Sequence, residues 1–108
     1  MRVQHYLDKD AIEDAPGIVR RVLVGPDDGA TRFVMRLFEV SPGTSTPFHC
    51  HAWEHEVYVI SGTGVAKNKA CESPISEGTS VFVTPGEQHC FTSTGNEPLR
   101  FICVIPML

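Results

Sequence analysis

Short runs rich in valine, isoleucine and phenylalanine recur along the whole chain, each about five to eight residues long and bounded by Gly, Pro, Asn or Asp. Such runs are typical of β-strands, and the residues that bound them are typical of tight turns. The predicted strands are residues 18–24, 32–40, 55–60, 64–71, 80–84, 89–93 and 99–105. Only residues 7–15 are compatible with a helical turn. The pattern therefore predicts an all-β fold, either a sandwich or a barrel.

Length and charge narrow the class of protein. A chain of 108 residues, with 42% hydrophobic and 20% charged residues, fits a single domain in which residues 1–17 form an N-terminal extension or edge segment. The net charge of -4 gives no attraction for nucleic acid or for anionic membranes. No apolar run is long enough to cross a bilayer, and the N-terminus lacks the features of a secretory signal, so we expect a cytoplasmic protein.

The four cysteines show no paired spacing and no Cys-x-x-Cys motif. They are Cys50, Cys71, Cys90 and Cys103. In a reducing compartment we expect free thiols, and a zinc site built from thiolates is poorly supported.

The predicted strand over residues 32–40 has two apolar faces. Strand alternation places Phe33, Met35 and Leu37 on one face, and the opposite face is apolar too, although Arg36 interrupts it. Because both faces of such a strand must be covered, we expect a homodimer packed sheet against sheet.

Four of the five histidines fall in two short segments, and this concentration is the main functional signal. His49, His51 and His55 lie in the first segment, and His89 follows a Pro-Gly turn in the second. Residues i and i+2 of an extended chain project to the same side, so His49 and His51 can present two imidazoles to one point. One such pair alone is more often a surface coincidence, but the third and fourth histidines each begin a predicted strand. Four imidazoles suit a divalent transition metal and leave two octahedral positions open.

Glycines at regular distances accompany these histidines. The two motifs read Gly43-(x)5-His49-x-His51-(x)4-Glu56-(x)5-Gly62 and Gly78-(x)5-Thr84-x-Gly86-x-x-His89. They are similar to the two motifs of the cupin family, and the resemblance extends over residues 33–105. It implies a double-sheet jelly-roll barrel. The first segment also looks like small single-domain cupins that bind manganese through four histidines, which implies one metal ion per chain, with manganese favoured and iron, nickel, copper or zinc as alternatives.

Two adjacent residues compete for the fourth ligand position. The usual cupin site has three histidines and one glutamate, and Glu56 stands where that glutamate is expected. With His55 as the ligand, the distance to Gly62 takes its usual value, and Val57 and Val59 line the barrel as apolar residues should. We therefore favour the four-histidine set and keep Glu56 as the alternative to His55.

Cys103 is predicted to point into the barrel, because strand alternation places it on the same face as Phe101 and Ile105. A thiol near a redox metal is a candidate catalytic residue or target of oxidation, whereas a small core residue is the simpler interpretation. The other predicted lining residues are apolar: Val57, Val59, Phe91, Met35 and Leu37. No basic residue is expected to face the interior of the barrel.

The predicted function follows from this site. Four neutral ligands leave a divalent ion its full charge, which favours an oxygen-containing substrate and, for manganese or iron, dioxygen. Together with an apolar lining, this favours an oxidoreductase of the dioxygenase type that acts on a small apolar or unsaturated molecule. The alternatives are a lyase or isomerase acting on a uronate-like sugar and a small-molecule-binding domain without catalysis.

Overall fold

Nine β-strands account for most of the regular structure in the computed structural model, which describes residues 1–108. They are β1 (Ile12–Ala15), β2 (Ile18–Val24), β3 (Phe33–Val40), β4 (His55–Ser61), β5 (Thr63–Asn68), β6 (Glu72–Ser76), β7 (Ser80–Val83), β8 (His89–Ser93) and β9 (Leu99–Pro106). Two 3₁₀ turns cover Tyr6–Asp8 and Pro26–Asp28. No helix has the length and apolar character needed to span a membrane.

The strands form two antiparallel sheets. The larger sheet has the order β1-β2-β3-β9-β4-β7, and the smaller has the order β6-β5-β8. One continuous core contains buried side chains from both sheets: Val40, Val57, Val59, Ile75, Val83, Phe91, Leu99, Phe101 and Cys103. The predicted all-β, double-sheet fold is confirmed.

Strands β1 and β6 were not among the predicted strands, and both lie at a sheet edge. Edge strands need little apolar content, and in β6 only Ile75 is buried. Pro74 has no N–H to donate, which an edge strand tolerates but a central strand does not. The expected helical turn within residues 7–15 is a 3₁₀ turn that begins at Tyr6, and residues 12–15 form β1 instead.

The segment before β1 lies against the outer surface of the larger sheet. Arg21 donates to the carbonyl of Lys9 at 2.6 Å, and Arg21 and Arg100 both lie over the ring of Tyr6. Lys9 donates to Asp28 at 2.6 Å, and with help from Gln4 it holds the pKa of the Asp28 carboxyl far below its usual range. These contacts fix the N-terminal residues on one end of the sheet.

Candidate metal centre

Four imidazole rings lie next to one another in the structure. His55 and His89 begin β4 and β8, whereas His49 and His51 belong to the connection between β3 and β4. His49 and His89 exchange two backbone hydrogen bonds, of 3.2 and 2.9 Å, and the Gly86 N–H donates to the His51 carbonyl at 2.7 Å. The backbone therefore brings together the two segments that carry the histidines.

Each of the four imidazole rings lies next to two of the others. Their centroids are separated by 4.7 Å from His49 to His51, 5.3 Å from His51 to His55, 4.9 Å from His55 to His89 and 5.2 Å from His89 to His49. Two imidazoles bound at right angles to one ion, with bonds of about 2.0–2.1 Å, have centroids roughly 4.5 Å apart. The observed spacing is wider, and no group of three or more His, Cys, Asp or Glu side chains has the geometry to hold an ion as it stands. Ring movements of less than about 1 Å would bring one nitrogen of each imidazole within bonding distance of a single ion.

Hydrogen bonds leave the same nitrogen free on two of the rings. Nδ1–H of His49 donates to the carbonyl of Pro47 at 2.6 Å, and Nδ1–H of His89 donates to the carbonyl of Glu87 at 2.9 Å. A backbone partner at Nδ1 fixes the tautomer and leaves the Nε2 lone pair available for a metal. In His55, Nδ1 is buried and has no hydrogen-bond partner. Because a buried ring nitrogen without a partner is costly, the His55 environment also fits a metal ligand.

Electrostatics favour the neutral imidazole. Burial lowers the pKa of His55 to about 4, with smaller contributions from His89 and Arg36. Burial also lowers the pKa of His51 and of His89 below the usual 6.5. These rings therefore remain neutral at pH 7, and only the neutral ring binds a metal ion.

His55 and Glu56 point to opposite faces of β4. His55 is 5% exposed and lines a cavity together with the other three histidines. Glu56 is exposed and lies on the outer surface beside Phe82 and Val104. Among the two alternatives left by the sequence, the structure brings His55 to the other histidines and leaves Glu56 outside.

Arg36 enters the same cavity, which has a volume of about 270 Å³. Its Nη2 donates to Sγ of Cys103 at 3.1 Å, and its guanidinium lies 5.0 Å from the centre of the Phe38 ring. Its Nε is buried without a partner, and no carboxylate forms an ion pair with it. A guanidinium with open donors is a group of the kind that binds carboxylate or phosphate anions.

The prediction of an entirely apolar lining is therefore wrong. The error arose because the sequence placed the wrong face of β3 towards the interior. Arg36 and Phe38 face the cavity, whereas Met35 lies on the outer surface, 39% exposed, and Leu37 is buried on that same side. Strand alternation alone could not decide which face of β3 points into the cavity, because both faces are largely apolar. A charged residue in the middle of a strand ordinarily indicates the solvent face, so the sequence held no signal that Arg36 faces the interior.

Cys103 lies in the cavity with the histidines, 3% exposed. Burial raises the pKa of its thiol, and the neighbouring Arg36 partly opposes that effect. Phe91 and Phe101 also line the cavity, as the sequence predicts. The other three cysteines lie outside it, and all four thiols are free.

A second guanidinium was missed by the sequence analysis. Arg20 on β2 lines the cavity and is held by Asp14 on β1 through hydrogen bonds of 2.9, 3.1 and 3.2 Å. The adjacent pair Arg20 and Arg21 resembles an ordinary solvated stretch, and only the pairing of β2 with β3 shows that Arg20 faces inwards.

A separate cavity of about 330 Å³ contains His89 but none of the other three imidazoles, so it is not the shared site.

Comparisons with known proteins agree on the fold. The cupin-domain family matches residues 36–105. An oxalate-binding protein of Thermotoga maritima is 38% identical over 109 residues, which is 100% of this chain and 77% of that protein. The structure of the polyketide cyclase RemF from Streptomyces resistomycificus is 36% identical, with a TM-score of 0.89, and the match covers 98% of this chain and 79% of that one.

A third comparison concerns the fold alone. The structure of a predicted oxalate decarboxylase from Thermotoga maritima is 24% identical, with a TM-score of 0.84, and the match covers 99% of this chain and 100% of that one. The family match spans both histidine segments, and the fold agrees with that of the RemF structure over 98% of this chain. The chain therefore belongs to the cupin family.

Proposed function

We propose that this cupin holds one divalent transition metal through His49, His51, His55 and His89, and binds a small carboxylate anion beside it. The observation that carries the proposal is the Arg36 guanidinium, which lies in the histidine cavity with no acidic partner. Arg36 is half-buried with its Nε fully buried, and a partly desolvated positive charge of this kind is stabilised when an anion pairs with it. We keep manganese as the proposed metal, with iron, nickel, copper or zinc as alternatives.

Each residue of the cavity has a definable task in binding an anion. The bound metal would supply positive charge and a position for one carboxylate oxygen. Arg36 would donate from Nη1, which makes no hydrogen bond, while Cys103 holds Nη2 and the Phe38 ring supports the guanidinium plane. Phe91 and Phe101 limit the access of water, which strengthens the interaction between the charges. The similarity to an oxalate-binding protein supports a carboxylate as the ligand.

Arg36→Gln is expected to weaken oxalate binding by about 10- to 100-fold, because a hydrogen bond to a charged group contributes about 1.5–3 kcal/mol. The measurement is isothermal titration calorimetry of manganese-loaded protein with oxalate. Arg100→Gln is the matched control, since Arg100 lies on the outer surface in an ion pair with Glu39 at 3.7 Å. Equal oxalate affinity in the wild type and in Arg36→Gln would remove the proposed role of Arg36.

Catalysis is a separate proposal from binding. An oxidoreductase of the dioxygenase type remains a prediction, and the charged cavity shifts the proposed substrate from an apolar molecule to a carboxylate. A lyase or isomerase acting on a uronate gains support, because the basic residues that such a reaction requires are present as Arg36 and Arg20. Oxygen consumption by metal-loaded protein in the presence of carboxylates separates these two classes.

We also propose a homodimer formed through the outer face of the larger sheet. Phe33, Tyr58 and Phe82 on that face are 66%, 53% and 57% exposed. Six strands of up to about 26 Å, at a spacing of about 4.8 Å, give this face an area of roughly 600 Å², which is somewhat below the ~800 Å² that each partner buries in a stable interface. The segment before β1 covers one end of the face and leaves the end with Tyr58 and Phe82 open. A twofold axis lets this apolar face cover a copy of itself.

Light scattering is expected to give twice the monomer mass of 11.9 kDa. Tyr58→Asp combined with Phe82→Asp is expected to give monomers, because the two carboxylates would be buried in the interface. A wild-type protein that remains monomeric at micromolar concentration would contradict this proposal.

A further inference from the structure

Two arginines lie side by side in the histidine cavity. Arg20 on β2 is directly opposite Phe38 on β3, and Arg36 is two residues from Phe38 on the same strand. Diagonal neighbours of this kind on adjacent antiparallel strands lie about 7–8 Å apart on one face of the sheet. The cavity therefore has two arginines on one wall, both next to Phe38 in the sheet.

Each guanidinium keeps donors without a partner. Asp14 occupies Nε and Nη2 of Arg20, and Nη1 makes no hydrogen bond. Cys103 occupies Nη2 of Arg36, and its Nε is buried without a partner. Nη1 makes no hydrogen bond in either arginine, so an anion can approach that nitrogen without breaking an existing contact.

Asp14 holds Arg20 in this position by means of a β-bulge. The pairing of β1 with β2 shifts between Glu13 and Ala15, so Asp14 is the extra residue. A bulge redirects a side chain, and here it places the carboxylate of Asp14 in the cavity wall beside Arg20. Asp14 is thus a positioning residue, and Arg20 remains 27% exposed at its side chain, within reach of a ligand.

The charges of the wall also favour two negative groups. The positive charges of Arg20 and Arg36 and the negative charge of Asp14 give the wall a net charge of about +1. The four proposed histidine ligands would add no charge, because they are neutral. A metal ion adds two more positive charges, so a monoanion leaves most of the charge uncompensated.

We infer that the cavity selects small dicarboxylates longer than oxalate, with one carboxylate beside Arg36 and the metal and the second bound by Arg20. This inference rests on the proposed carboxylate-binding function. The two arginines stand at diagonal positions about 7–8 Å apart, so a ligand with two methylene groups between its carboxylates, as in succinate, spans them better than oxalate does. Arg20 is then a specificity-determining residue.

The test is calorimetry of manganese-loaded protein with oxalate, succinate and butyrate, in which butyrate replaces one carboxylate of succinate by a methyl group. We expect succinate to bind at least about tenfold more tightly than butyrate. Arg20→Gln is expected to remove that advantage, whereas oxalate binding is retained with a smaller loss, which also shows that the cavity is intact. Arg100→Gln, on the outer surface, should alter neither affinity.

An unchanged succinate affinity in Arg20→Gln overturns the inference, and so does an equal loss of oxalate and succinate binding. If Arg20→Gln does not fold, Arg20→Lys replaces it, because a single ammonium group cannot hold Asp14 and a carboxylate in the same fork geometry. Succinate affinity should then fall at least about threefold with oxalate unchanged, and no fall overturns the inference. If none of the three acids binds, the proposed function itself has failed.

Discussion

Alanine in place of His55 or His89 is expected to leave the purified protein almost free of metal, with manganese affinity weakened by more than about 100-fold. Loss of a residue that only supports a ligand already costs about 10- to 100-fold, so loss of a ligand should cost more. The two side chains are 5% and 6% exposed, and water has poor access to replace the missing nitrogen. Elemental analysis of protein purified without a histidine tag, followed by titration with manganese, measures the effect.

Two variants serve as controls for this experiment. Glu56→Gln should retain its metal, because Glu56 lies on the outer face of β4. His5→Ala should also retain it, because His5 caps the N-terminal 3₁₀ turn outside the cavity. Full metal content in His55→Ala, or loss of metal in Glu56→Gln, would contradict the four-histidine site.

Gly62→Ala is expected to cause a large loss of stability. Gly62 joins β4 to β5 with a φ of +86°, and an added Cβ would lie 2.4 Å from the carbonyl oxygen of Pro98 and 2.9 Å from Cα of Leu99. Both contacts are with backbone atoms, so a side chain cannot rotate away to relieve them. Backbone strain of about 1–2 kcal/mol and crowding of about 1–3 kcal/mol together predict a loss of roughly 2–5 kcal/mol in the free energy of unfolding.

Gly43→Ala separates the two contributions to that loss. Gly43 has a similar φ of +78°, but no heavy atom lies within 4 Å of an added Cβ. Only the backbone strain applies, and a loss of about 1–2 kcal/mol is expected. Chemical denaturation of the two variants in parallel gives the comparison. Equal losses would show that the close approach of Gly62 to Pro98 is relieved by movement of the chain.

The strands that the sequence predicted are those with dense apolar content. β2 and β8 begin and end where the pattern places them, and β9 extends one residue further. β5 ends at Asn68, three residues earlier than predicted, because its side chain accepts hydrogen bonds from the N–H groups of Ala70 and Cys71 at 2.9 and 2.8 Å and starts a turn. Such local side-chain bonds compete with a strand and are hard to read from apolar content alone.

The candidate site was predictable as far as its histidines. The concentration of the four histidines in two short segments proposed them as neighbours, and the resemblance to the cupin motifs together with strand alternation favoured His55 over Glu56. The arginines could not be assigned in the same way, because Arg36 lies on a strand with two apolar faces and Arg20 is recognisable only from its pairing with Phe38. The position of Asp14 depends on a bulge, which has no signature in this sequence.

Anomalous diffraction at the manganese absorption edge, from crystals of manganese-loaded protein soaked with oxalate, locates the ion and the anion together. We predict one anomalous peak at about 2 Å from a nitrogen of each of His49, His51, His55 and His89. An oxalate oxygen should lie within hydrogen-bond distance of Arg36. A peak coordinated by Glu56, a peak away from the imidazoles, or oxalate bound elsewhere on the surface would contradict a four-histidine, anion-binding metal centre.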